Sequence, residues 1–270
     1  MTDLGREGFA SNGFVVLREF FPRALVQGVV SDAQRVFHLQ ATRHSLGAGG
    51  DSREGAEAGM FRLFAQRPQE FINCGKQAQH LISLHRLSLN ERIVERLQAL
   101  GLAFPNISTR PVMFFNHPKL AKREVYWKVA AHQDWRSMQG ALNAVVVWVP
   151  LVDIDVALGA LQVVPGSHLE GLITDRVEDS FGMVDRYRDK DFVSVEMRQG
   201  DALFFSSFLV HRSGENVTDA VRWSCHFRYN DLAETTFVTR GFPHPYLYKP
   251  QDELITADFP TVEAVRRVYG

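Results

Sequence analysis

From about residue 107 the chain turns into a succession of short β-rich segments separated by turns, and this half limits the fold more than anything before it. Arg110–Asn116, Leu142–Leu151, Ala160–Val164, Phe192–Met197, Ala202–Ser206 and Val221–Tyr229 are rich in β-branched and aromatic residues. Pro165-Gly166-Ser167, Gly200-Asp201 and Gly214-Glu215-Asn216 supply the turns between them. The run Val145-Val146-Val147-Trp148-Val149-Pro150-Leu151 has no polar face, which predicts a strand buried on both sides. A double-sheeted β core satisfies these requirements. Twenty phenylalanines against six tyrosines give such a core many fully apolar rings to bury.

The first hundred residues have a different period. Residues 3–12 predict a short helix ending near Asn12-Gly13, and Gly13-Phe14-Val15-Val16-Leu17 a short strand. Helices are expected over 22–40, where Pro22 suits a first turn, and over 77–100, where Leu81, Leu84, Leu87, Ile93, Val94 and Leu97 form an apolar side. Residues 43–59 hold five glycines and many charges, and predict a mobile loop. The expected fold class is mainly β with a helical layer (α+β). We expect one domain over 1–270: a mostly helical part over 1–106, a β core over 107–232, and a cover or tail over 233–270.

Composition narrows the function classes. With 45% hydrophobic and 23% charged residues, the chain fits a soluble globular protein. A net charge of -1 gives no electrostatic case for nucleic acid or an anionic membrane as partner. No apolar run reaches the roughly 20 residues of a membrane span, and no signal peptide is evident at the N-terminus. Cys74 and Cys225 are too few for a disulfide framework, so free thiols and a cytoplasmic location are expected.

The chemistry concentrates in three places. His132 and Asp134 are two apart, so on a strand they point to the same side. With His211, just past the apolar segment that follows Gly200-Asp201, they make two histidines and one carboxylate. That is the ligand set of a non-haem Fe(II) oxygenase, which leaves three metal positions open. The dull reading is a surface hydrogen bond for the first pair and a strand end for His211. In Val221–Tyr229 the even positions are Arg222, Ser224, His226 and Arg228, and the odd ones are apolar. This face is either the solvent side of an antiparallel strand or a pocket that handles anions. In the second case Arg222 offers a planar fork for a carboxylate and Ser224 a hydroxyl. Trp148 is core by default. His168 follows a Pro-Gly-Ser turn and is expected to bond backbone, not a metal.

Taken in order, His132-Gln133-Asp134, Trp148-Val149-Pro150-Leu151, Gly159-Ala160-Leu161 leading to Pro165-Gly166-Ser167-His168, Gly200-Asp201, and His211 with Arg222 resemble phytanoyl-CoA dioxygenase-like proteins. The opening Glu7-Gly8-Phe9 to Asn12–Leu17 is similar too, and the resemblance covers roughly residues 5–232. It implies a double-stranded β-helix, or jelly-roll, core with Fe(II), 2-oxoglutarate as co-substrate, and O2. By the resemblance His132, Asp134 and His211 hold iron, and Arg222 takes the distal carboxylate of 2-oxoglutarate with Ser224 as helper. Gln133 and Trp148 match positions that line the co-substrate pocket. Asn116, His117, Tyr126, Lys128 and Arg228 are candidates for substrate contact.

The resemblance also implies the reaction: hydroxylation of a C–H bond with release of succinate and CO2. The basic residues Arg110, His117, Lys128, Arg136, His226 and Arg228 direct the expectation to a small polar or anionic substrate. The alternative is a jelly-roll metal-binding protein without 2-oxoglutarate turnover. Residues 43–59 are either an idle surface loop or a lid over the substrate.

Overall fold

The computed structural model describes residues 4–46, 53–120, 128–175, 183–244 and 255–269. Tyr126, part of the 43–59 segment and part of the C-terminal segment lie outside them.

Helix α1 (Leu4–Asn12) leads through Gly13 into strand β1 (Phe14–Leu17). Helix α2 (Arg23–Arg43) starts directly after Pro22, whose fixed φ suits a helix start. It buries Val26, Val29, Val30, Ala33, Phe37 and Ala41, the stripe that helical spacing places on one side. The expected loop over 43–59 is corrected over 53–59, because helix α3 begins at Arg53 and runs to Gln66; residues 44–46 are a turn and bend, as expected. A Cβ at Gly59 would meet the Ala41 methyl at 3.8 Å, an ordinary contact, so α3 lies alongside α2 there. Helix α4 (Pro68–Ala78) follows. The helix expected over 77–100 is two helices, α5 (Ile82–Ser88) and α6 (Glu91–Ala99). The break falls at Asn90, whose side chain accepts from the Arg92 N–H and caps the second helix.

Among the described residues, eight strands form two antiparallel sheets. The first contains β1, β2 (Pro105–Asn116), β3 (Val145–Pro150), β6 (Ala202–Ser206) and β8 (Arg222–Asp231), in the order β1-β6-β3-β8-β2. The second contains β4 (Leu161–Val163), β5 (Val193–Val195) and β7 (His211–Arg212), in the order β5-β4-β7. The segments expected from the sequence all hold a strand, with ends shifted by a few residues. Counting helices, the molecule is mixed rather than mainly β.

All ten residues of β8 are buried, which excludes the reading of its polar side as a solvent face. Its odd side packs under the helices: Trp223 meets Phe37 and Phe115 with ring centroids 6.2 Å and 5.7 Å apart. Its even side faces the smaller sheet. The register aligns Asn116 with Arg222 on one side and Trp148 with His226 on the other, so these side chains share that inner face. Phe205 also faces inward and touches the His211 ring at 4.8 Å. One apolar core runs from the helices through the larger sheet into the smaller one. After the short helices α7 (Trp135–Met138) and α8 (Thr235–Thr239), a second, smaller cluster joins Trp135, Leu142 and Phe208 to Ala264 and Val265 of helix α9 (Val262–Tyr269). Cys74 and Cys225 are buried free thiols, as expected. No helix among the described residues is long and apolar enough to cross a membrane.

Candidate metal centre

His132 and His211 are brought together by their backbones. Each donates its N–H to the other's carbonyl, at 3.0 and 3.1 Å, in an isolated antiparallel bridge. Directly opposed residues send their side chains to the same side, so the two rings stand 4.2 Å apart. Asp134, two residues from His132, joins them, with each imidazole Nε2 3.9 Å from one of its oxygens. The ligand atoms of the three residues lie within 4.8 Å of one another.

The donors are oriented for a cation. The His132 Nδ1 lies 2.8 Å from the Ala130 carbonyl and the His211 Nδ1 2.9 Å from the Leu209 carbonyl. A carbonyl only accepts, so each Nδ1 carries the proton and each Nε2 presents a lone pair. Burial, followed by the neighbouring His132, pushes the His211 imidazole down to about 4. It is therefore neutral and ready to ligate at pH 7. Asp134 is buried, which alone would raise its pKa. Arg228 and the imidazoles around it overcome that and hold its carboxyl far below the ordinary range. Its Oδ1 accepts from the Arg228 fork at 2.8 Å, while Oδ2 has no hydrogen-bond partner among the described residues. A buried carboxylate oxygen left open beside two lone pairs fits a metal ion well.

On the same inner face lies a second unsatisfied group. Arg222 is 3% exposed and has no acidic partner among the described residues. One terminal nitrogen donates to the Gly159 carbonyl and the other to Ser213 Oγ at 3.3 Å, while Nε has no partner. Burial lowers its pKa to about 10, which still leaves it charged at pH 7. Such a cation is costly unless an anion joins it. Ser224, also on this face, has a buried Oγ without a partner among the described residues.

The structure places the remaining candidates as follows. Trp148 is on the inner face, opposite His226. The Gln133 amide donates to the Gly171 and Phe208 carbonyls and accepts from the Ile173 N–H, so it is engaged with backbone. Asn116 sits opposite Arg222. His117 packs on Phe61 at 4.8 Å and accepts from the Lys119 N–H, apart from the metal cluster. Lys128 pairs with Glu215 at 3.0 Å. Arg228 divides its fork between Asp134 and the Nε2 of His226, which accepts at 2.9 Å. His168 bonds the Ala10 carbonyl through Nε2, as expected of a non-ligand.

Two sets of residues were not foreseen. Ser213 touches Arg222, and its position two residues after His211 was the signal that could have found it. Arg53 and Glu57 grip the start of β8, and nothing in their glycine-rich surroundings marks them. A cleft of about 800 Å³ opens by Ala130 and Ala131 and is lined by Gln162, Tyr187, Phe192 and Arg212, but none of the three metal candidates lines it.

Known proteins place the arrangement in context. The sequence profile of the phytanoyl-CoA dioxygenase family matches residues 9–224. A phytanoyl-CoA dioxygenase of Arabidopsis thaliana is 33% identical over 115 residues, 38% of this chain and 41% of that protein. A methylphosphonate hydroxylase of Gimesia maris is 36% identical over 107 residues, 39% of this chain and 40% of that protein. The chain thus spans about two-fifths of the length of these relatives. Among solved structures, the epimerase SnoN, in complex with Fe3+, alpha ketoglutarate and nogalamycin RO, superposes with a TM-score of 0.58 at 20% identity, covering 85% of this chain and 83% of that one. At that identity the likeness speaks for the fold. The profile match over most of the chain decides the relationship: the protein belongs to the phytanoyl-CoA dioxygenase family.

Proposed function

We propose that this protein is an Fe(II)- and 2-oxoglutarate-dependent dioxygenase that hydroxylates a C–H bond of a small polar or anionic molecule. The observation that carries this reading is the pair of unsatisfied groups on one inner face: an open donor set at His132, Asp134 and His211, and a buried arginine without an acid at Arg222. Family membership supports the same cofactors. The two facing antiparallel sheets are in keeping with a jelly roll, and the core shared by helices and sheets with a single domain.

In this reading His132, Asp134 and His211 hold the iron, and the bound iron with 2-oxoglutarate supplies the oxygen chemistry that ends in succinate, CO2 and an alcohol. The chain's own part is orientation. Arg222, with Ser213 beside it and Ser224 next along the strand, fixes the far carboxylate of the co-substrate by charge-assisted hydrogen bonds. The buried inner face, walled by Trp148 and Phe205, keeps bulk water from the reacting centre. Asp134 is held by Arg228 through Oδ1, which leaves Oδ2 for the metal. The preference for a small anion rests on the similarity to a methylphosphonate hydroxylase.

Anaerobic reconstitution with Fe(II), followed by succinate measurement over a range of 2-oxoglutarate, tests the reading. His211→Ala should lose metal and turnover together. Arg222→Met should retain metal and need far more 2-oxoglutarate, since truncating one partner of a buried charge pair costs about 2–5 kcal/mol. Normal iron content and turnover in His211→Ala would remove the metal assignment. An unchanged 2-oxoglutarate titration in Arg222→Met would remove the second.

A further inference from the structure

We propose that Glu57 and Arg53, on helix α3, are positioning residues for Arg222: they clamp the strand on both sides of it and so aim its guanidinium at the co-substrate carboxylate. The inference rests on the role proposed above for Arg222.

The clamp is built on the two neighbours of Arg222. The Val221 N–H donates to Glu57 Oε2 at 2.9 Å, and the Val221 carbonyl accepts from an Arg53 terminal nitrogen at 2.9 Å. Side chains of a single helix therefore satisfy both main-chain groups of Val221. On the other side, the Trp223 indole N–H donates to Glu57 Oε1 at 3.3 Å. Arg53 and Glu57 are four residues apart on one helix face, and the Arg53 Nε donates to Glu57 Oε1 at 2.8 Å. Glu57 is 5% exposed, so its charge is tolerated there only because Arg53 and two further donors meet it.

The sheet does not hold this end of β8 by itself. Pairing with β2 ends at Asn116 and Arg222, and pairing with β3 ends at Pro150 and Ser224. Val221 lies beyond both ladders. Arg222 in turn has no carboxylate among the described residues to fix its side chain, only a carbonyl and a hydroxyl. Its direction follows from the backbone at 221–223: β2 and the Leu151 N–H hold residues 222 and 223, and α3 holds Val221. If attachment of α3 alone were at stake, its buried Met60 and Leu63 and the contacts of Phe61 with His117 and of Phe64 with Phe71 would serve. A buried carboxylate spent on the residues flanking Arg222 adds orientation. Misplacement of a binding group by about 1 Å costs on the order of 100-fold where geometry matters.

The test uses the full chain loaded with Ni(II), which needs no turnover. Calorimetry measures the affinity for Ni(II) alone, then for 2-oxoglutarate on the Ni(II) protein, and thermal unfolding is followed in parallel. Glu57→Ala should weaken 2-oxoglutarate binding about 10-fold or more and leave Ni(II) affinity unchanged. Met60→Ala, a buried cavity on the same helix away from 221–223, should lower thermal stability and leave 2-oxoglutarate affinity in place. If Glu57→Ala does not fold, Arg53→Met carries the test, because it removes only the carbonyl contact and one ion pair; a several-fold loss is expected. Wild-type affinity in the clamp variants, or equal losses in Glu57→Ala and Met60→Ala, would overturn the clamp alone. A wild-type Ni(II) protein that binds no 2-oxoglutarate would overturn both the clamp and the functional reading beneath it.

Discussion

Arg228 shows how one side chain serves a centre it does not ligate. Its fork joins Asp134 and His226, all three buried, and in the metal-free protein it supplies the nearest positive charge to that carboxylate. Removing one partner of a buried ion pair costs about 3–5 kcal/mol, because the other is left charged in a poor solvent. Arg228→Met should therefore lower the unfolding temperature sharply in chelator-stripped protein. Ni(II) should recover part of the loss, since the ion takes over neutralisation of Asp134. Equal losses with and without metal would show that Arg228 acts through packing instead. At this scale the sequence was readable where a period rule applied. His132 and Asp134 share a side because strands repeat every two residues. The same rule, applied at His211, points to Ser213, while the arginine's own strand offers Ser224. That His132 and His211 face each other through paired backbones is a long-range fact, which no local pattern encodes.

Between elements, the seat of Arg222 depends on two glycines. Gly159 has φ +90°, which L side chains seldom adopt, and its carbonyl accepts from Arg222. A Cβ on Gly214 would lie 2.3 Å from the Ala160 carbonyl oxygen, so the chain after β7 touches the chain before β4 backbone to backbone. Gly214→Ala should push the two apart, at a cost of about 1–3 kcal/mol as for other overpacked sites. It should also weaken 2-oxoglutarate binding, because the Gly159 carbonyl moves with its strand. Urea unfolding and calorimetry check the two effects separately; lost stability with full 2-oxoglutarate affinity would limit the contact to a structural one. The strands were legible because β-branched runs between turns have few other uses. Helix α3 was not. Gly55, Gly59 and the charges of 53–57 look like loop chemistry, and only the folded contacts reveal that α3 lies alongside α2 at Gly59 and that Glu57 points inward.

Across the whole molecule, the inner face is braced from two directions. Helices α2 to α4 back the sheet that carries Arg222, and α9 backs the segment that carries Asp134. Trp135 follows Asp134 directly and is fully buried against Phe208, with Ala264 and Val265 of α9 in the same cluster. Tyr269 anchors the end of that helix, its hydroxyl 2.5 Å from Ser206 Oγ and its ring on His168. The sequence left the segment after 232 open between a cover over the pocket and a tail packed on the sheet. For α9, contacts behind the metal segment favour the packed role. They were illegible because an eight-residue helix carries too little pattern to reveal its partner. Val265→Asp places a carboxylate in this apolar cluster, a change that costs several kcal/mol, about 4 or more. The unfolding temperature should fall steeply. At a temperature where the variant is still folded, its Ni(II) affinity should fall as well, because the Trp135 anchor of Asp134 has loosened. Arg267→Ala, on a more exposed part of the same helix, should change neither quantity. Normal stability in Val265→Asp would mean that α9 does not close this side of the core. Lost stability with undiminished Ni(II) affinity would mean that it closes the core without steadying the metal segment.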